Sequence, residues 1–472
     1  MTLFTLREAA ALIPGSVVIG DENVAFERVA TDSRKAGPGD LFVAIKGDRF
    51  DAHDFLGQVA ANKVAAALVS RTPEGWALPA LKVKDTRVAL GELAHGWRAR
   101  FAIPLIAVTG SNGKTTVKEM IASILAAAVG ENARLATAGN FNNDIGLPLT
   151  LFRLTDAHRL AVIELGMNHP GETETLGKIA APTVAVVNNA QREHQEFMAT
   201  VEAVALEHAS VIHALGEDGT AVFPADDKYT SIWRVAATGN PILDFALHTA
   251  ATVDTQTPAA VTGTLDGTKV RIETPEGTLE VALRVLGEHN ARNALAATAA
   301  SLAAGVSLDA IKRGLEAFEP VKGRLQVKRA VLTPLEGATV IDDTYNSNPD
   351  SMRAAIDVLA SQASPRVLVM GDMGEVGDEG PAFHREVGAY AAQKGIDALY
   401  ALGDASLDSA RAFGAGKHFG NLDELIAALA RAGFGSGATF LVKGSRFMRM
   451  ERVVDAVTNP HPTAAGTKPA AQ

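Results

Sequence analysis

The stretch Ile103-Pro-Leu-Ile-Ala-Val-Thr109, followed without a break by Gly110-Ser-Asn-Gly-Lys-Thr-Thr116, decides how this 472-residue chain is read. The first half is a short apolar run of strand length. The second is a glycine-rich turn that opens a helix, because Val117, Met120, Ile121 and Ile124 keep the i, i+3, i+4, i+7 spacing of one helix face. Glycines let a backbone wrap phosphates, and a helix start offers free N–H groups at the positive end of its dipole. In this setting Lys114 would reach β- and γ-phosphates and Thr115 would ligate a Mg²⁺ ion. Only Ser111 and Asn112 separate the two glycines, against four residues in the common P-loop.

Outward from this unit, strand-like runs recur at Leu160 to Glu164 and Thr183 to Val187, with helical stretches between them. Strands alternating with helices predict a mostly parallel sheet covered on both faces. Ala250 to Val285 is rich in Thr, Val and Gly with tight turns and reads as antiparallel hairpins on the edge of that sheet. Upstream, Leu41 to Ile45, Val64 to Val69 and a helix from Arg87 to Arg100 predict a small α/β unit. Downstream, Thr339 to Asp342, Arg366 to Met370, Ala398 to Leu402 and Thr439 to Val442 predict a second open, Rossmann-like parallel sheet, with a helix over Leu422 to Arg431. The expected organisation is an α/β chain of three domains: residues 1–98, 99–318 and 319–458. Residues 459–472, with three Pro and many Ala, form an expected disordered tail.

Composition narrows the function. With 44 basic and 54 acidic residues the net charge is −10, which disfavours general nucleic-acid binding. Cys is absent, so thiolate metal sites, disulfides and thiol nucleophiles are excluded. Arg7 and Glu8 interrupt the N-terminal apolar pattern, and no apolar run reaches the roughly 18 residues of a membrane span, so a soluble cytoplasmic protein is expected.

Further candidate residues gather where strands end, which is where open α/β sheets bind ligands. Glu164 could hold the metal that bridges phosphates, and His194, in Asn188-Asn-Ala-Gln-Arg-Glu-His-Gln-Glu196, could hold a second. Gly139-Asn-Phe-Asn-Asn-Asp-Ile-Gly146 is a polar loop suited to an anionic substrate, or to a turn cluster alone. Asn290 and Asn293 share a helix face and suggest base recognition. Lys322-Gly-Arg324, Asp342-Asp-Thr-Tyr-Asn346, Gly371-Asp-Met-Gly-Glu375 and Lys443-Gly-Ser-Arg446 would converge on one cleft facing the glycine-rich turn.

In order and spacing these motifs resemble the signature series of the Mur ligases, over nearly the whole chain. Gly-Asn-Phe-Asn-Asn-Asp-Ile-Gly-Leu-Pro, Tyr-Asn-Ser-Asn-Pro-Asp-Ser-Met and Gly-Asp-Met-Gly-Glu-Val-Gly are most similar to the members that add D-alanyl-D-alanine to UDP-N-acetylmuramoyl-tripeptide. Thr31-Asp-Ser-Arg34 with Gly39 to Gly47 is similar to the nucleotide-sugar domain of the tripeptide- and pentapeptide-forming members. The resemblance implies an ATP- and Mg²⁺-dependent peptide-bond-forming ligase of peptidoglycan precursor synthesis, working through an acyl phosphate, here expected to act as a monomer.

By position, Gly110, Ser111, Asn112, Gly113, Lys114, Thr115 and Thr116 would hold the phosphates, and Thr115, Glu164 and His194 the metals. Asn290, Arg324, Asp343 and Asn346 would close on adenine, ribose and phosphate. Ser33, Arg34 and Lys46 would meet the uridine diphosphate end, and Asn140 and Asn143 the muramoyl-peptide. Several family members carry a carbamylated lysine shortly after the metal-binding His. No Lys lies between Asn188 and Asp227 here, so Glu207 or water would have to take its place. A different amide ligase (tripeptide-forming or folyl-polyglutamate-type) or an ATP-gated binding protein are the competing readings. A hinged third domain is expected, open without ligand, with Asp343 and Asn346 far from Lys114.

Overall fold

A computed structural model describes residues 1–47, 49–73, 75–249 and 257–459. The first unit contains β1 (Phe4–Thr5), β2 (Val17–Ile19), β3 (Ala25–Phe26), β4 (Arg28–Ala30), β5 (Asp40–Val43), β6 (Ala66–Val69) and β7 (Ala80–Lys82), with α1 (Leu6–Leu12), α2 (Leu56–Ala61) and α3 (Thr86–Arg98). Its sheet runs β2-β7-β6-β5-β4, parallel except for β2, while β1 and β3 pair separately.

The central unit holds β8 (Leu105–Thr109), β9 (Arg134–Ala136), β10 (Leu160–Glu164), β11 (Val184–Val187) and β12 (Thr220–Val222). These form an all-parallel sheet in the order β12-β11-β8-β10-β9. Its helices are α4 (Lys114–Val129), α5 (Gly146–Leu151), α6 (Glu172–Ala180), α7 (Val201–Ala209) and α8 (Thr230–Ala236). Then come β13 (Phe245–His248), β14 (Val261–Asp266), β15 (Lys269–Thr274) and β16 (Gly277–Ala282), followed by α9 (Glu288–Ala303) and α10 (Leu308–Ala317).

The hairpin expectation needs correction. β14, β15 and β16 are antiparallel as read, but with β13 they form a sheet of their own, which among the described residues meets the β12 segment through isolated bridges; residues 250–256 of the stretch read as hairpins lie outside the described residues. β13 pairs with β14 in parallel, a pairing that needs a long connection because parallel strands cannot be joined by a tight turn.

The third unit holds β17 (Gln326–Arg329), β18 (Thr339–Asp343), β19 (Arg366–Gly371), β20 (Ala398–Leu402), β21 (Lys417–Phe419) and β22 (Thr439–Lys443). Its helices are α11 (Pro349–Ala360), α12 (Gly380–Gln393), α13 (Leu407–Phe413), α14 (Leu422–Arg431) and α15 (Glu451–Thr458). The strand order is β17-β18-β22-β19-β20-β21, parallel except for the added edge strand β17. Asn459 follows α15; the rest of the expected tail, 460–472, lies outside the described residues. Among the described residues no helix is long and apolar enough to cross a membrane.

Alternation along the buried strands assigns each sheet face its own core. On β8, Leu105 and Ala107 point into a core shared with the first unit, while Ile106 and Val108 point towards α4, α9 and the four-stranded sheet. On β19, Val367 and Val369 face one helix layer and Leu368 and Met370 the other. The first and central units share one continuous apolar cluster. At its heart Trp97 of α3 lies 5.5 Å from Phe4 and 5.4 Å from Phe101, and its ring N–H donates to the Leu154 carbonyl. Burying each such side chain contributes roughly 1.5–3 kcal/mol.

The amphipathic face read for α4 is buried throughout, and α10 packs against it. At their crossing a Cβ on Gly314 would collide with the Ile124 backbone, and the Gly314 carbonyl accepts from Ser123 Oγ at 2.7 Å. Backbone cannot yield as a side-chain tip can. We expect Gly314→Ala to destabilise the central unit by about 1–3 kcal/mol, seen as a lower urea midpoint by circular dichroism. An unchanged midpoint would contradict this packing.

Candidate active site

β8 ends at Thr109, α4 starts at Lys114, and Gly110 to Gly113 make the turn between them. Gly113 has φ +81°, and a Cβ there would lie 2.5 Å from Asn293 Oδ1 and 2.7 Å from Asn188 Nδ2. Glycine is therefore required both by conformation and by space. A web of amides fixes the turn. Asn188 and Asn189 both donate to the Asn112 carbonyl, at 2.8 and 2.9 Å. Asn189 Oδ1 accepts from the Asn112 N–H at 2.9 Å, and Gln191 Oε1 from Asn112 Nδ2 at 2.6 Å. The first-turn N–H groups of α4 have no intrahelical acceptors, and Gly113 to Thr116 line a cavity of about 1600 Å³.

Into this cavity the structure brings most of the residues singled out by sequence. Glu164 closes β10 and is buried. One of its oxygens accepts from Asn142 Nδ2 at 2.8 Å; the other is buried without a hydrogen-bond partner. His194 sits at φ +47°, with Nδ1 2.9 Å from a Glu375 oxygen but not aligned for a hydrogen bond. Asn140, Asn143, Asn290, Arg324, Asp343 and Asn346 also line the cavity.

Several of these side chains are already committed. Asn143 Oδ1 accepts from the Gly146 N–H at 2.8 Å, at the start of α5. Asn293 donates to Asn290 at 3.0 Å and accepts from Asn188 at 2.9 Å, and Asn290 donates to the Leu286 carbonyl. Both are buried braces of the turn. Ser33, Arg34 and Lys46 do not line the cavity; Arg34 is exposed and paired with Asp32 at 2.8 Å. Glu207 does not reach the site either. It accepts from the Gly171 and Thr173 N–H groups, each at 2.8 Å, because the start of α6 needs a cap.

The arrangement is closed, not open as expected. Arg324 Nη2 donates to Thr115 Oγ1 at 2.9 Å while its guanidinium lies 4.2 Å over the Tyr345 ring. Asn348 Nδ2 donates to Asn112 Oδ1 at 2.9 Å. Lys443 joins the strand ends of the third sheet, pairing with Asp343 at 2.7 Å and donating to the Asn346 carbonyl at 2.9 Å. Arg192 carries the largest share of the docking. It meets Asp350 at 2.6 Å and Glu386 at 2.7 Å, over the Phe383 ring at 5.0 Å, while Arg353 also reaches Glu386 at 2.8 Å. Hydrogen bonds from Arg192, reinforced by Arg353 against partial burial, hold the Glu386 carboxyl at about 2.

Sequence reasoning missed Asn142, Asn188, Arg192 and Glu193. Arg192 and Glu193 were in view as neighbours of His194, but nothing local shows that they point in different directions. Glu193 is buried and pairs with Lys114 at 3.1 Å and His208 at 2.9 Å. Burial opposes its ionisation, yet Lys114 and His208 hold its pKa at about 2.

A glycine-rich phosphate turn on one parallel sheet, clasped by arginine from a second, defines a nucleotide-dependent group-transfer enzyme, and comparison gives the class. Residues 26–98 match the Mur ligase family catalytic domain, 108–301 the Mur ligase middle domain, and 323–446 the Mur ligase glutamate ligase domain. The chain belongs to the Mur ligase family.

Within that family it is 42% identical over 458 residues to the UDP-N-acetylmuramoyl-tripeptide–D-alanyl-D-alanine ligase of Escherichia coli, covering 97% of this chain and 99% of that one. It is 40% identical to the enzyme of the same name from Haemophilus influenzae, over 93% and 94%. Among solved structures, MurF from Acinetobacter baumannii matches with a TM-score of 0.88 at 36% identity, covering 96% of this chain and 98% of that one. MurF ligase from Thermotoga maritima in complex with ADP matches at 0.79 and 25% identity, covering 91% and 96%.

Arg192→Ala should release the third unit, raising the radius of gyration in small-angle scattering at neutral pH. The wild type should stay docked at and above about pH 5. Because the Glu386 pKa is depressed from 4.5 to about 2, its contribution is complete above 4.5 and fades as pH falls towards 2. A variant as compact as the wild type would contradict the latch.

Proposed function

We propose that the chain joins D-alanyl-D-alanine to UDP-N-acetylmuramoyl-tripeptide with ATP, producing ADP and phosphate in the cytoplasmic assembly of peptidoglycan precursor. The observation that carries the reading is the Arg324 to Thr115 contact, which sets the ligand edge of the third sheet on the phosphate turn. The names of the relatives supply the substrates.

The tripeptide carboxylate attacks the γ-phosphorus of ATP and ADP leaves, giving an acyl phosphate. The amine of D-alanyl-D-alanine then attacks the acyl carbon, phosphate leaves, and the ammonium proton is lost to solvent or a nearby base. The α4 amides and Lys114 bind the transferring phosphates, and Arg324 adds a second cation from the third unit. Such fixed charges lower the barrier without reorganisation at the moment of transfer. A closed cleft keeps water from the acyl phosphate.

The residues fit Mg²⁺. A buried carboxylate oxygen of Glu164 is free of hydrogen bonds and the Thr115 hydroxyl lies in the same cavity. Among the described residues no cluster of three or more His, Asp or Glu could hold a metal by itself. That suits an ion that takes few protein ligands and completes its shell with water and substrate phosphate. Thr115 and Glu164 would hold one ion and His194 a second; bound there, Mg²⁺ neutralises phosphate charge.

Residues 1–98 would take the UDP-sugar, with Ser33, Arg34 and Lys46 at its diphosphate end. Residues 99–318 would take ATP, with Asn140 and Asn143 towards the peptide. Residues 319–458 would close over the nucleotide through Asp343 and Asn346. The cleft is lined by residues of one chain, which supports a monomer as the working form.

Purified chain should release ADP only when both the tripeptide precursor and D-alanyl-D-alanine are present, with the joined product seen by mass. Lys114→Met should lower turnover by roughly 100- to 1000-fold. ADP release with a single amino acid in place of the dipeptide, or ATP binding without any joined product, would overturn the assignment.

A further inference from the structure

Thr109, Lys114, Glu193 and His208 come from four different segments and meet in one buried chain of contacts. Lys114 Nζ donates to the carbonyls of Gly110 and Ser111, the latter at 3.2 Å, and to Glu193 Oε2 at 3.1 Å. Glu193 Oε1 faces His208 Nε2 at 2.9 Å, and His208 Nδ1 faces Thr109 Oγ1 at 2.9 Å. His194 Nε2 stands 3.9 Å from Glu193 Oε2. Thr109 and His208 are fully buried, and Glu193 is 6% exposed.

The two carbonyls belong to the braced turn and draw the ammonium towards it from one side. Glu193 is the only charged acceptor of the three, and it reaches in from the loop after β11. Its own position is set from behind by His208 on α7, which Thr109 ties to the end of β8. A buried carboxylate is costly unless it is paired and hydrogen-bonded, and here both oxygens are used. The ammonium is thus held over the phosphate turn by a group on a different segment from the turn itself.

We propose that Glu193, backed by His208, is a positioning residue for phosphoryl transfer: it fixes the Lys114 ammonium over the phosphate turn without itself touching substrate. This rests on the ligase reading for its kinetic consequence, but not for its structural one. With Glu193→Gln the charge that aligns Lys114 is lost while size is kept. His208→Phe removes the donor behind Glu193. His208→Gln restores it, since the amide nitrogen can stand where Nε2 stood.

Two readouts test this. In the first, full-length chain is pulsed with an amine-acylating reagent and Lys114 is followed by peptide mass. Labelling should be at least about five-fold faster in Glu193→Gln and in His208→Phe, and near the wild-type rate in His208→Gln. In the second, kcat for ADP release should fall at least about ten-fold in the first two variants, with the dissociation constant for ADP within about three-fold of wild type. His208→Gln should recover most of the rate. Unchanged Lys114 labelling in Glu193→Gln would overturn the proposal, whatever the chain's activity. So would a kcat within two-fold of wild type, or a His208→Gln variant no better than His208→Phe. Wild-type chain that forms no joined product would instead count against the ligase reading alone, leaving the labelling result to judge this one.

Discussion

A phosphate-binding turn must satisfy two opposed demands. The N–H groups that meet the ligand have to stay free, and the shape of the turn has to be fixed through its other polar groups. Here the conflict is resolved by side-chain amides of other segments. Asn188, Asn189 and Gln191 take up the polar groups of Asn112, and Asn293 braces Asn188 from α9. The N–H groups of the first turn of α4 are left facing the cavity. Everything else in the site is placed relative to that turn, and Gly113 is the residue that lets the braces come so close.

The same loop after β11 serves the second demand of the chemistry, which is closure. Gln191 holds the turn, Arg192 reaches outward to Asp350 and Glu386, and Glu193 reaches inward to Lys114. Arg192 and Glu193 leave this loop in opposite directions, so one short stretch contacts both sheets. Docking of the third unit and placement of the lysine therefore share a backbone. The net charge of −10 does not oppose binding an anionic nucleotide, because Lys114, Arg324 and the start of α4 set the local field.

Much of the architecture was legible because it is written in local pattern. Leu105 to Thr109, Leu160 to Glu164 and Val184 to Val187 are apolar runs buried on both faces, and such strands announce themselves. Leu422 to Arg431 was read to the residue because Asn421 caps it and its apolar stripe is regular. β17 and β21 escaped notice, being short edge strands with no fully buried residue. Lys114 and the strand-end carboxylate Glu164 line the cavity, a placement legible from motif and position. What could not be read was pairing across the chain. Asn188 and Asn293 meet over 105 residues of sequence separation, and Arg192 and Asp350 over 158. Nor could spacing show that Glu207 turns away to cap α6 while Glu193 turns in.

The central claim is that the strand ends of two separate sheets form one nucleotide site. Hydrogen–deuterium exchange with and without a non-hydrolysable ATP analogue tests it most directly. The account predicts slowed exchange both in the peptide containing Gly110 to Thr116 and in the peptide containing Asp343 to Asn348. Protection confined to the first, with the third unit exchanging as before, would contradict it.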